Sequence, residues 1–78
     1  MPKHYAQGVN IQQGRIEFRN MRYARVYYNL TFDKRPLVTI SPEETKNIPK
    51  YRLWVMRDYF YIVFENRYTG VIVWRATL

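Results

Sequence analysis

Residues 24–32, with the sequence ARVYYNLTF, alternate strictly between two sets of side chains. The first set comprises Ala24, Val26, Tyr28, Leu30 and Phe32. The second set comprises Arg25, Tyr27, Asn29 and Thr31. A helix has about 3.6 residues per turn and cannot place alternate residues on one face, whereas a β-strand does so. The pattern therefore predicts a strand that buries the first set and exposes the second.

Five more segments carry strand patterns, and no long stretch has the helical period. They are residues 12–18, 37–41, 51–56, 59–64 and 71–78. Pro36 ends the strand pattern before residues 37–41, because proline cannot donate to a strand ladder. Arg57 and Asp58 leave room for a tight hairpin, and ENRYTG at 65–70 predicts a second turn. Both faces of 59–64 are apolar, which predicts a central strand that is covered on both sides. Six short strands separated by turns indicate an antiparallel β-sandwich or barrel.

The length of the chain limits how it can be stabilised. Its 78 residues suffice for one domain, which we predict as an N-terminal arm (1–10) and a β-sandwich domain (11–78). Small domains usually need disulfides, a metal or partner subunits. Because the chain has no cysteine and His4 is its only histidine, disulfides are excluded and a zinc site nearly so. The remaining alternatives are a very well packed core and oligomerisation. Eight Tyr, four Phe and two Trp favour both a packed core and a subunit interface.

The formal net charge of +7 raises the expectation of an anionic partner. The basic residues are spread along the chain, which is typical of the solvated faces of strands. Residues 19–28, RNMRYARVYY, combine cations with rings, as a platform for single-stranded nucleic acid does. Tyr28 shares the buried face, whereas Tyr23 and Tyr27 stay available. A basic nucleic-acid-binding small β-barrel is therefore the alternative function.

Catalysis finds little support in the sequence. A serine-type site would need Ser41 to meet His4, the only serine and the only histidine. The six acidic residues are adjacent in a loop, at strand ends or on exposed faces, where they favour solubility and turns. There is no glycine-rich phosphate loop. We therefore expect a protein that is not an enzyme and has neither a metal site nor a cofactor.

The first ten residues lack the apolar region of a signal peptide, and no apolar run approaches the length of a membrane-spanning helix. We therefore expect synthesis in a cytoplasm and no insertion into a membrane. Action outside a cell stays open if a virus particle or lysis carries the protein there.

The order of six short segments resembles a known family. They read QQGRIEF (12–18), NLTF (29–32), KRPLVTIS (34–41), YRLWV (51–55), YFYIVFEN (59–66) and VIVWRA (71–76). This order resembles the H-type lectin domain of snail agglutinins and of the C-terminal part of discoidins. The last segment is similar to the one that closes the short lectin-like domains of phage tail proteins.

The resemblance implies a six-stranded antiparallel β-sandwich that assembles as a trimer, or as two trimers forming a hexamer. It implies a non-enzymatic virion protein of the phage tail or fibre type. Such a protein would bind cell-surface carbohydrate near subunit boundaries or act as a trimeric structural cap. Its partners would be copies of itself, a surface glycan and other virion proteins.

Two residues fall where the family places sugar contacts. Arg52 offers a fork of donors, and Tyr68 offers an apolar ring with a polar tip. The alternatives are a solvated strand residue for Arg52 and a turn or interface residue for Tyr68. The family's sugar-gripping Gly and Asp, its tryptophan before the last strand and its disulfide are absent. Asn66, Arg67 and Arg22 would give a replacement site a cationic character suited to acidic glycans.

Overall fold

The computed structural model describes residues 11–44 and 47–78, and these form one antiparallel β-sheet. Its strands are β1 (Ile11–Tyr27), β2 (Leu37–Pro42), β3 (Tyr51–Val55) and β4 (Tyr59–Thr77). β4 is central, with β1 along one side and β2 and β3 along the other. The prediction of an all-β antiparallel fold is confirmed. The predicted arm (1–10) lies outside the described residues. His4, which a serine-type site with Ser41 would need, lies there too.

The sheet has four strands where the sequence predicts six, so the six-stranded sandwich is not confirmed. The predicted strands at 37–41 and 51–56 correspond to β2 and β3, and the hairpin at Arg57 and Asp58 joins β3 to β4. The other four predicted strands merge in pairs into β1 and β4. Consequently, the predicted turn at 65–70 lies inside β4, and residues 19–23 lie inside β1.

β1 and β4 bend together, which is why neither strand is interrupted. Asn20 has a φ of 56°, and the register between the strands shifts between Phe18 and Tyr23. Such irregularities bend a strand and increase its twist. The Asn20 amide donates to Thr69 Oγ1 at 2.9 Å, and Arg67 donates to the Asn20 carbonyl at 2.8 Å. Turn-type residues therefore bend the ladder here without ending it.

The bend folds β4 back on itself. The ring centroids of Phe60 and Trp74 are 5.3 Å apart, although residues so far apart along a straight strand would be separated by more than about 40 Å. The sheet thus has two halves that face each other. Half-sheet A comprises β2, residues 71–77 of β4 and residues 11–18 of β1. Half-sheet B comprises β3, residues 59–64 of β4 and residues 23–27 of β1.

The core lies between the half-sheets and is built largely from the even-numbered residues of β4. The most deeply buried side chains are Phe18, Phe32, Phe60, Ile62, Phe64, Ile72 and Ala76. Several rings meet edge to face, including Phe18 and Phe64, whose centroids are 5.0 Å apart. This geometry is favourable for aromatic pairs. A dense aromatic core therefore stabilises a chain that has no disulfide.

β1 ends at Tyr27, earlier than the alternating pattern predicts. Beyond this point β4 offers no further partner, because it begins at Tyr59, opposite Tyr27. The chain instead bonds to the β3–β4 hairpin, with the Tyr28 amide donating to the Asp58 carbonyl at 3.1 Å and the Phe32 amide to the Arg57 carbonyl at 2.9 Å. Tyr28 and Phe32 are buried as predicted.

Leu30 is the exception to the predicted pattern, because its side chain is 56% exposed. The buried side chain of Gln12 organises this turn of the chain. Its Oε1 accepts from the amides of Asn29 at 2.8 Å and Leu30 at 3.3 Å, and its Nε2 donates to the Leu30 carbonyl at 2.8 Å. The backbone therefore turns around Gln12 and directs Leu30 outward.

The hydroxyl of Tyr28 is buried and has no hydrogen-bond partner among the described residues. Burial, and secondarily the charge of Asp58, raises the pKa of Tyr28 to about 12. Burial has this effect because it disfavours the charged phenolate. The ring therefore stays neutral up to strongly alkaline pH, in contact with Phe32 and Trp74.

Candidate ligand-binding groove and aromatic face

An open groove of about 510 Å³ crosses half-sheet B near the bend. Its lining residues are Arg22, Lys50, Tyr51, Arg52, Trp54, Val63, Phe64 and Glu65. Arg22 comes from β1 and Arg52 from β3, on either side of β4. The structure thus brings together two of the five residues that the sequence predicts for a sugar site.

The backbone fixes the positions of both arginines. Arg22 Nε donates to the Phe64 carbonyl at 3.2 Å, which directs the side chain across β4. Arg52 pairs with Val63 in the ladder, so its side chain lies on the outer face of half-sheet B. With Lys50, the described part of the chain contributes three basic residues to the groove and one acidic residue, Glu65. This charge balance favours an anionic ligand.

The other three predicted site residues lie elsewhere. Tyr68 is only 7% exposed, and its ring packs against Phe18 and Phe64 at centroid distances of 5.8 and 5.2 Å. Its burial favours the packing role over the sugar contact. Arg67 is exposed but bonded to the bend, and Asn66 is exposed. None of the three lines the groove.

Six side chains from three strands meet on the outer surface of half-sheet B. We call this set the aromatic face: Tyr23, Arg25, Tyr27, Trp54, Tyr59 and Tyr61. The centroids of Tyr23 and Tyr61 are 5.5 Å apart, and those of Tyr27 and Tyr59 are 5.4 Å apart. Trp54 stacks on Tyr61 at 4.9 Å with an angle of 13° between the ring planes.

Arg25 lies over the tyrosines of β4. Its Cζ is 5.2 Å from the Tyr59 centroid and 5.9 Å from that of Tyr61, within range of a cation–π interaction. The hydroxyl of Tyr27, and next that of Tyr23, raises the pKa of Arg25 above its ordinary value. A permanent positive charge therefore sits among the rings.

The aromatic face corrects the prediction that the strand at 59–64 is covered on both sides. The strand at 59–64 is central, as predicted, but no further layer covers its outer side among the described residues. Tyr27 is 62% exposed and Tyr23 is 42% exposed, whereas Tyr59 and Tyr61 are half-buried by neighbouring side chains. The alternation in each strand indicates which rings face outward, but it does not indicate that rings from three strands meet.

Comparison of the chain with protein-family models, with curated proteins and with solved structures finds no match. Among residues 11–44 and 47–78, no group of three or more His, Cys, Asp or Glu side chains is placed to hold a metal ion. The same residues include no helix that is long and apolar enough to cross a membrane.

Proposed function

We propose that this chain is a non-enzymatic, lectin-like protein that binds acidic carbohydrate on a cell surface. The observation that supports this proposal is the meeting of Arg22 and Arg52 in an open groove beside the rings of Trp54 and Tyr51. Guanidinium forks bind carboxylate and sulfate oxygens, and aromatic rings offer an apolar surface to a sugar ring. We place the protein in a virion of the phage tail or fibre type, as the resemblance implies.

The arrangement of the sheet is compatible with a shortened H-type lectin sandwich. In this proposal, the six predicted strands correspond to β2, β3 and the two halves of each of β1 and β4. The facing half-sheets then take the place of the two sheets of the sandwich. The family's loop before the second strand is reduced here to the bend at 19–23, which stays inside β1.

Arg52→Ala is expected to weaken binding to glycans that carry carboxylate or sulfate groups by about tenfold or more. A hydrogen bond to a charged group contributes about 1.5–3 kcal/mol, which corresponds to at least that ratio. A glycan array followed by titration of the strongest ligand measures the change. Arg75→Ala is the matched control, because Arg75 is exposed on the outer face of half-sheet A. Binding confined to neutral sugars, or insensitive to Arg52→Ala, contradicts the proposal.

The proposed assembly is a homo-oligomer, as a trimer or a hexamer, which could also serve as a structural cap with other virion proteins. Exposed aliphatic side chains at the end of half-sheet A support it. Ile11 is 52% exposed, Leu37 is 68% exposed and Leu78 is 52% exposed. Ile11 and Leu37 flank Thr77 on the same face of the sheet. Two exposed aliphatic side chains that flank one uncharged residue suit contact with another protein surface.

Leu37→Asp is expected to reduce the mass found by sedimentation equilibrium from that of a trimer or hexamer to that of a monomer. The reason is that a carboxylate buried in an apolar interface loses its hydration without gaining a partner. Met21→Asp is the control, because Met21 is 44% exposed but lies at the bend. A wild-type protein that stays monomeric at tens of micromolar overturns the assembly proposal without affecting the glycan test.

A further inference from the structure

The outer face of half-sheet B is positively charged, and this charge favours an anionic partner over a second copy of the chain. Its outward-facing residues are Tyr23, Arg25, Tyr27, Arg52, Trp54, Tyr59, Tyr61 and Val63. None of these carries a carboxylate, and among residues 11–44 and 47–78 Glu65 is the one acidic residue that lines the adjoining groove. Two copies joined through this face would bring like charges together, which opposes association. A polyanion, in contrast, is attracted to it.

The rings of this face form the beginning of a stack. The planes of Tyr59 and Tyr61 differ by 11° at a centroid distance of 6.5 Å, and those of Trp54 and Tyr61 differ by 13° at 4.9 Å. Trp54 ends the row, because β3 pairs only with β4 among the described residues. Its side chain is 37% exposed and lines the groove. A further planar ring placed on Trp54 would continue the stack.

We propose that the aromatic face binds single-stranded nucleic acid. Bases stack on Trp54 and on the exposed rings of Tyr23 and Tyr27, while Arg25 and Arg52 contact phosphates. Rings for base stacking combined with cations for the backbone are the usual elements of single-strand binding. Nucleobases suit stacking on these rings because they are flat, and the phosphates match the positive charge of the face. This inference rests on Arg25 and the ring stack, and not on the meeting of Arg22 with Arg52.

The geometry also predicts a preference for single strands over duplexes. In a duplex the bases are stacked on one another, so the duplex offers phosphates but few free base faces. An aromatic face that works by stacking should therefore bind the single strand at least about tenfold more tightly, the ratio expected from one or two stacked bases. A surface that acts only by positive charge should bind the duplex equally well or better, because the duplex has the higher charge density.

The test is fluorescence anisotropy with fluorescein-labelled oligo(dT) and oligo(U) of fifteen nucleotides, and with a duplex of equal length, over a range of salt concentrations. We expect both single strands to bind, with affinity falling as salt rises. Tyr27→Ala and Trp54→Ala should each weaken binding by about tenfold, as expected for loss of one stacking ring. Arg25→Ala should weaken binding and reduce the salt slope by about one.

Intrinsic tryptophan fluorescence gives a second readout. The bound base should quench the emission of Trp54, whereas Trp74 is buried and is not expected to respond. Trp54→Phe should therefore abolish the quenching while retaining most of the affinity. Arg75→Ala is again the control, and it should leave the affinity within about twofold, as expected for a cation outside the site.

Several results would overturn the inference. They are equal affinity for duplex and single strand, an effect of Arg75→Ala as large as that of Arg25→Ala, and no oligonucleotide binding at low salt. A change of oligomeric mass on Tyr27→Ala, without any change in oligonucleotide binding, would assign the face to contact between copies.

Arg52→Ala that abolishes glycan binding but leaves most oligonucleotide binding would separate this site from the proposed carbohydrate site.

Discussion

Trp74→Ala is expected to lower the free energy of unfolding by about 3–5 kcal/mol, as for other large aromatic side chains removed from a core. Trp74 is 7% exposed and lies where the two half-sheets meet. Its ring centroid is 5.3 Å from that of Phe60 in half-sheet B and 6.0 Å from that of Tyr28. It also lies over Gly14 of β1, where an added Cβ would be 2.9 Å from the indole.

The size of this effect follows from the size of the domain. Natural domains are stable by only about 5–15 kcal/mol, and the smallest lie near the lower limit. Losing Trp74 would remove contacts to both half-sheets at once and leave a cavity between them. Most molecules of the Trp74→Ala variant should then be unfolded at moderate urea concentrations. Urea denaturation followed by far-ultraviolet circular dichroism measures the shift.

The chain provides a matched control in its other tryptophan. Trp54→Ala removes the same atoms from a more exposed position on β3, where the loss includes the stack on Tyr61. It should therefore cost about 1–2 kcal/mol, clearly less than Trp74→Ala. The two variants should therefore separate stability from binding, with Trp74→Ala affecting the fold and Trp54→Ala affecting the ligand surface. Equal losses of stability would contradict the position of Trp74 between the half-sheets.

Much of the core could be predicted from the sequence because alternation depends only on the local geometry of a strand. The pattern in 59–64 places Phe60, Ile62 and Phe64 on one face, and the structure buries all three. Whether a strand continues through a turn-like segment is harder to predict from the sequence. The residues at 65–70 favour a change of direction, but whether the ladder ends there depends on whether β1 bends at the same point. That is a property of two distant segments.

The position of the aromatic face is likewise hard to predict from the sequence, because it depends on distant segments. Tyr27 pairs with Tyr59, and Trp54 pairs with Tyr61, so the aromatic face depends on the register between three strands. Register is set by long-range pairing, which the alternation within one strand does not reveal. The burial of Tyr68, in contrast, had a local signal. It shares the even parity of the buried residues that precede and follow the bend.

Gly70→Ala is expected to lower the free energy of unfolding by about 2–4 kcal/mol, for two separable reasons. Gly70 has a φ of 152°, where residues with a side chain are rarely found, and such strain costs about 1–3 kcal/mol. An added Cβ would also lie 2.7 Å from the Tyr68 hydroxyl oxygen and 2.9 Å from Cζ. The ring has little room to move because Phe18 and Phe64 pack against it.

A double-mutant cycle with Tyr68→Leu separates the two reasons. Leucine removes the hydroxyl and the far end of the ring but keeps an apolar side chain in the core. If the clash contributes, Gly70→Ala should cost about 1 kcal/mol less in the Tyr68→Leu background, and that difference is the coupling energy. An equal cost in both backgrounds would assign the whole effect to the backbone at Gly70. Urea denaturation of the four proteins closes the cycle.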